Sequence, residues 1–206
     1  MHAVIRQYKV EARNVDEIVR RAEAGFIPLI SRTPGFVSYR LAAADNGEVI
    51  TVSTFEDKRG ADESVSTAAR WVKENLAELV PNPPQVVSGT VRVRQVKSGE
   101  QPMYGVMRRY RGVLGSVIDM AGQVEREFLP ILSAVPGFAS YTMIDAGDGT
   151  VVTLTAFRDR AGADASTQKA ADWIKKNMAK LLPNAPEVTR AEIRASVTSA
   201  SASAAR

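Results

Sequence analysis

Cysteine is absent from this chain of 206 residues, and histidine occurs once, as His2. Without cysteine there is no disulfide framework, no thiolate nucleophile and no Cys-ligated zinc or iron–sulfur centre. One imidazole beside Met1 leaves no second ring for a metal site and no base for a nucleophilic triad. Carboxylate pairs, a Gly-rich phosphate loop and a serine nucleophile elbow are missing as well, so the chain is expected to hold no metal and no cofactor. Long apolar runs are also lacking. The longest uncharged stretch, Phe128 to Ile144, contains Pro130, Pro136 and Gly137 and reads as core, not as a membrane span. Met1 to Val10 carries Arg6 and Lys9 where a signal peptide would be apolar. These absences predict a soluble protein of the reducing cytoplasm with no membrane partner.

Charge of one sign does not dominate either: 27 basic residues face 23 acidic ones, a net charge of +4. The one dense basic run, Arg108-Arg109-Tyr110-Arg111, alternates between the two faces of a strand, which splits the patch and argues against nucleic acid.

What is present is one pattern written twice. A shift of 102 residues aligns positions 2–95 with 104–197 without a gap, and about 35 of the 94 pairs are identical. Phe26-x-Pro28-x-x-Ser31-x-x-Pro34-Gly35-Phe36-x-Ser38-Tyr39 recurs as Phe128-x-Pro130-x-x-Ser133-x-x-Pro136-Gly137-Phe138-x-Ser140-Tyr141. Trp71-x-Lys73-x-Asn75 and the following Pro81-Asn82-x-Pro84 recur as Trp173-x-Lys175-x-Asn177 and Pro183-Asn184-x-Pro186. Two repeats, 1–96 and 104–195, are therefore expected around a polar linker at 97–103. A Ser/Ala tail over 196–206 is expected to be mobile.

Each repeat reads as strand, helix, strand, strand, helix, strand. Ala3 to Glu11 alternates apolar and polar, as does a half-buried strand. Asn14 with Glu17 predicts a capping box, and Ser116 with Asp119 approximates one. Val15, Ile18, Val19, Ala22 and Phe26 lie on one helical face, and Pro28 is expected to kink the last turns. Phe36 to Ala43 and Val49 to Phe55 form a hairpin through Asp45-Asn46-Gly47. Asp57 and Asp159 are read as N-caps of the second helix, with Gly60 and Gly162 easing the bend. Gln85 to Arg94 is the last strand. The class is α+β: two ferredoxin-like βαββαβ repeats, each with a sheet apolar on both faces. Such sheets are expected to pack together as an intramolecular pseudo-dimeric α/β barrel.

The Pro-Gly-Phe-x-Ser-Tyr turn and strand, the hairpin and the Phe-x-Asp before the helix resemble the antibiotic biosynthesis monooxygenase (ABM) superfamily of dimeric α/β barrels. The resemblance covers nearly the whole chain, with the usual homodimer fused into one polypeptide. It implies a cofactor-independent monooxygenase or related enzyme acting on an aromatic or apolar small molecule between sheet and helices. The alternative is a non-catalytic binding or scaffold protein of that fold. The quinone-forming members carry Asn-x-x-x-Trp on the third strand, whereas here Thr51-x-x-x-Phe55 and Thr153-x-x-x-Phe157 stand there. The haem-degrading members use an Asn on the first strand and a helical His, and both are missing at those places.

The candidate site residues follow in matched pairs. Arg6 and Arg108, among apolar neighbours, are the cations that could hold a phenolate; the plain reading is a side chain reaching the rim or a carboxylate. Tyr39 and Tyr141 could donate to a ligand or simply fill core. Trp71 with Asn75, and Trp173 with Asn177, could line a flat pocket, or pack and cap the helix. Thr51, Phe55, Thr153 and Phe157 share a strand face and are expected to line the same cleft. Five of the six methionines, Met103, Met107, Met120, Met143 and Met178, fall in the second half, which predicts a more adaptable second pocket.

Overall fold

The computed structural model describes residues 1–199. Strand β1 (His2–Lys9) leads through a short 3-10 turn, Ala12–Asn14, into a helical segment made of α1 (Val15–Arg21), a π-helical turn (Ala22–Phe26) and α2 (Ile27–Ile30). Strands β2 (Phe36–Ala44) and β3 (Glu48–Phe55), helix α3 (Lys58–Asn75) and strand β4 (Gln85–Val96) follow. The same order recurs as β5 (Tyr104–Arg111), α4 (Val117–Gln123), a π turn (Val124–Phe128), α5 (Leu129–Ser133), β6 (Phe138–Asp145), β7 (Thr150–Phe157), α6 (Arg160–Asn177) and β8 (Glu187–Thr198). No helix among the described residues is long and apolar enough to cross a membrane.

The described residues divide into two compact units, 1–89 with 192–199 and 90–191, so the boundaries fall inside β4 and β8. Both strands have 12 residues, against 8 in β1. In the first unit the strands run β1-β3-β2-β8, and in the second β5-β7-β6-β4. Each antiparallel sheet thus ends on the distal half of one long strand. Residues 196–198, expected in the mobile tail, belong to β8, and the Ser199 N–H donates to the Val37 carbonyl. The rest of that tail, 200–206, lies outside the described residues.

Local structure follows the sequence with three corrections. Asn14 has a helical backbone (φ −89°, ψ −13°) where a cap needs an extended one, and its side chain makes no cap bond. Its expected partner Glu17 is taken by Arg20 and Arg21, which hold that carboxyl down at about 2. Ser116 does cap, accepting from the Asp119 N–H, and Asp57 and Asp159 accept from the N–H of Gly60 and Gly162. Pro28 and Pro130 produce π turns instead of simple kinks: the Ile27 N–H reaches back five residues to the Ala22 carbonyl, and Leu129 to Val124. The wider turn accommodates a ring that cannot donate.

Third, Gly60 and Gly162 serve close approach, not bending. A Cβ on Gly60 would lie 2.8 Å from the Pro34 carbonyl oxygen and 3.0 Å from the Phe55 ring. On Gly162 the corresponding distances, to Pro136 and Phe157, are 2.7 and 2.8 Å. The helix start is thereby pressed onto the end of the first helical segment and onto the sheet.

In each unit one sheet face packs on the helices. Val4 and Tyr8 of β1, Val49 and Phe55 of β3, and Tyr39 and Leu41 of β2 join Ile18, Phe26, Ile30, Ala61 and Ala68 in a single core. On the opposite face, Ala3 and Ile5 are also buried. The second unit repeats this core with Val106, Tyr110, Phe128, Tyr141, Met143 and Trp173. Because the glycine contacts are with backbone and packed ring, Gly60→Ala and Gly162→Ala should each cost about 1–3 kcal/mol. Urea unfolding is expected to show a lower midpoint at unchanged slope.

Candidate functional site

An arginine lies at the centre of each core. On β1, alternation places Val4, Arg6 and Tyr8 on the helix-facing side; Arg6 stands opposite Thr51, and Val4 opposite Ser53. Arg6 is 2% exposed and Arg108, in the same setting on β5, 3%. Arg6 Nη1 donates to Ser53 Oγ at 3.1 Å and Nη2 to Ser64 Oγ at 2.9 Å. Ser64 in turn donates to the Ala61 carbonyl at 2.6 Å, so its lone pairs are turned toward the guanidinium. Arg108 Nη1 donates to Thr155 at 3.2 Å, and Nη2 to Ser166 at 3.1 Å and Thr167 at 3.0 Å.

All these partners are neutral hydroxyls. Among the described residues no carboxylate pairs with Arg6 or Arg108. Burial lowers the pKa of both arginines, and neighbouring Tyr8 and Tyr39, or Tyr110 and Tyr141, offset this in part. Burial drives all four tyrosines the other way, upward, so they stay protonated and act as donors.

The cleft between sheet and helices is nearly filled by rings. Phe26 meets Tyr39 edge-on at 5.4 Å and Trp71 at 5.3 Å; Phe128 meets Tyr141 at 6.1 Å and Trp173 at 5.1 Å. The space left beside Arg6, Tyr39, Thr51 and Trp71 is about 30 Å³, as is that beside Arg108, Tyr141, Thr153 and Trp173. That volume suits a water molecule rather than an aromatic ligand. Met120, Met143 and Met178 line the second cavity; Met103 and Met107 do not.

Two expected pairs lie elsewhere. Asn75 Nδ2 donates to the Trp71 carbonyl at 2.9 Å and Asn177 Nδ2 to the Trp173 carbonyl at 2.8 Å, so both amides are spent on their own helix ends. Phe55 and Phe157 pack edge-on against Phe36 and Phe138 at 6.0 and 5.9 Å, beneath Gly60 and Gly162, and line neither cavity.

Open space is found beside the second helix, next to each inner cavity. In the first unit a groove of about 430 Å³ runs between α3 and the Pro81–Pro84 loop, with Arg6 and Tyr8 in its wall. In the second, about 470 Å³ lies between α6 and the Pro183–Pro186 loop, bounded by Arg108 and Tyr110. Each groove shares its arginine and tyrosine with the adjoining small cavity. Residue patterns alone flag neither Ser64 and Ser166 nor the loop walls. Their one signal is that Gly-Ala-Asp-x-Ser recurs intact at 60–64 and 162–166.

No protein-family model matches the sequence, and no curated protein matches it. Solved structures do share the fold. The putative monooxygenase of Lactobacillus acidophilus NCFM superposes with a TM-score of 0.73 at 13% identity, covering 96% of this chain and 95% of its own. That of Fusobacterium nucleatum subsp. nucleatum ATCC 25586 gives 0.74 at 9% identity, covering 96% and 94%. An anthrone oxidase-like protein gives 0.64 at 10%, covering 100% and 96%. At such identities the likeness defines a fold class, the α+β ferredoxin-like architecture of these monooxygenase-related proteins, and nothing finer.

Two outcomes follow from the geometry. Replacing an unneutralised buried cation by an apolar chain of similar length removes a desolvation cost, so Arg6→Met should be neutral or stabilising by about 1–2 kcal/mol. Ser64→Ala strips the guanidinium of a partner and should destabilise by about 1–3 kcal/mol. Chemical denaturation of the two variants checks both signs. The tyrosines set a pH limit: with folded values raised above the ordinary 10.0, the unfolded chain loses its phenolic protons first. Stability is therefore intact below pH 10 and falls as pH rises beyond it. Unfolding curves from pH 8 to 11.5 should show that decline.

Proposed function

We propose that the chain is an ABM-like enzyme, a cofactor-independent monooxygenase or close relative, acting on an aromatic or apolar small molecule held at the arginine of one or both units. In this reading the 1–96 and 104–195 repeats, joined through 97–103, make the intramolecular pair that separate chains make elsewhere in that superfamily, in a cytoplasmic setting. The carrying observation is the guanidinium without a carboxylate, buried in each unit at the edge of an apolar space. A cation so placed favours the ionised form of a bound phenol or anthrone, which is the form able to reduce oxygen directly. For an anthrone methylene the balance is CH2 + O2 → C=O + H2O, one oxygen atom entering the substrate and the other leaving as water. Arg6 or Arg108 would bind and orient the anion, Tyr8 or Tyr110 would donate to it, and the apolar walls would exclude water.

A second reading, a binding or scaffold protein without catalysis, is favoured by a specific observation. The cavities inside the ring clusters measure only about 30 Å³, and Thr51, Phe55, Thr153 and Phe157 stand where the quinone-forming members carry amide and indole. Oxygen consumption with a panel of hydroquinones and anthrones distinguishes the two. The enzyme reading expects turnover that drops at least tenfold in the Arg6→Ala, Arg108→Ala double variant. No uptake with any substrate, although the ligands raise the melting temperature, would leave the binding protein.

A further inference from the structure

We infer that each groove beside the proline loops is a binding site for a preformed organic monoanion, a carboxylate head carried on a flat apolar body, with the head seated on Arg6 or Arg108. The inference rests on the ligand-binding reading of these arginines given above and on no oxygen chemistry. Three observations carry it.

The first is charge. Apart from tyrosine, the ionisable side chains lining the first groove are Arg6 and Lys73, and those lining the second are Arg108 and Lys175. Neither lining includes an acid or a histidine. Arg6 is almost wholly removed from water, yet its partners are two serine hydroxyls, which leave the net charge uncancelled. A guanidinium has five N–H donors in a planar fork suited to a carboxylate. An entering carboxylate would cancel the charge where no described residue does so.

The second is shape. Val65, Ala69, Val72 and Val80 face Pro81 and Pro83 across the first groove; Ala171, Ile174 and Leu182 face Pro183 and Pro186 across the second. Small side chains on the helix and rigid rings on the loop leave an apolar slot of about 430 to 470 Å³. That is the size range of small-molecule sites. Arg6, Tyr8, Lys73 and Asn82 are the polar side chains among the first lining, and Arg108, Tyr110, Thr167, Lys175 and Asn184 among the second; the rest is apolar, which favours a ligand with one polar head.

The third is the absence of a base among the lining residues. Tyr8 and Tyr110 are held protonated by burial, so they donate to a ligand and do not deprotonate it. A carboxylic acid arrives already ionised at neutral pH, whereas a simple phenol does not. The two sites are not equivalent. Thr167 stands where the first unit has Val65, so Arg108 Nη2 is held by two hydroxyls and Arg6 Nη2 by one. Arg6 therefore keeps more donor capacity for an incoming head and should bind it more tightly.

Calorimetric titration of the full chain with 2-naphthoate, and with the neutral isostere 2-naphthamide, tests the proposal. The expected result is two naphthoates per chain, the tighter lost in Arg6→Met and the weaker in Arg108→Met, with naphthamide at least tenfold weaker. Ala69 and Ala171 line the grooves but not the inner cavities. The Ala69→Phe, Ala171→Phe double variant should keep the wild-type melting temperature and lose naphthoate binding at least tenfold. Equal affinity for acid and amide, undiminished binding in the filled-groove variant, or no binding to wild type at millimolar naphthoate would each overturn the proposal. Oxygen uptake decides separately: naphthoate bound without turnover on any substrate sinks the enzyme and spares the groove. Turnover in the wild type without naphthoate binding does the reverse.

Discussion

A positive charge buried without a negative one is the constraint around which each unit is arranged. Transferring a guanidinium from water into an apolar core is costly unless polar groups replace its hydration. Here the replacement consists of hydroxyls from strand and helix: Ser53 and Ser64 about Arg6, and Thr155, Ser166 and Thr167 about Arg108. For a helical serine to reach a strand arginine, helix and sheet must lie close together. That closeness accounts for Gly60 and Gly162 at the helix starts and for the small Ala61, Ala68, Ala163 and Ala170 on the same helix faces.

The hydroxyls solvate the charge but do not cancel it. Buried arginines kept for architecture usually acquire a carboxylate, because the pair is cheaper than the lone ion. Among the described residues neither unit supplies one, and in both the same arginine borders a proline-walled groove. A residue that costs stability in the empty protein and faces a cavity is the pattern expected where a ligand completes the structure. The aromatic cluster then has a bounded role. Phe26, Tyr39 and Trp71 fill the inner cleft, and the arginine borders the groove as well.

Much of the architecture was legible in the residues. Alternation in β1, the Pro-Gly turn before Phe36 and the Asp caps of α3 and α6 each depend on neighbours within a few positions, which a linear pattern contains. Arg6 stood out because its chemistry contradicts its apolar neighbours. Where structure and sequence pattern differ, distant contacts decide. Asn14 has the residue type of a cap but sits one turn too deep in the helical path, and Glu17 answers to Arg20 and Arg21. Gly60 reads as easing the bend because the Pro34 carbonyl pressed against it is invisible in a linear pattern. Asn75 and Phe55 share periodicity with the cleft residues, but side-chain reach, not periodicity, sends the amide to its own helix carbonyl and the ring under Gly60. The groove is not legible in the sequence, since a Pro-Asn-x-Pro turn announces a loop without saying which wall it forms.

The central claim, a counterion-free guanidinium open to an incoming anion, is tested most directly by diffraction from crystals soaked in bromide. The account predicts anomalous density within hydrogen-bonding distance of the Arg6 and Arg108 guanidinium groups, on their groove sides. A protein carboxylate occupying that position, or no bromide at either arginine while it binds elsewhere on the surface, would contradict it.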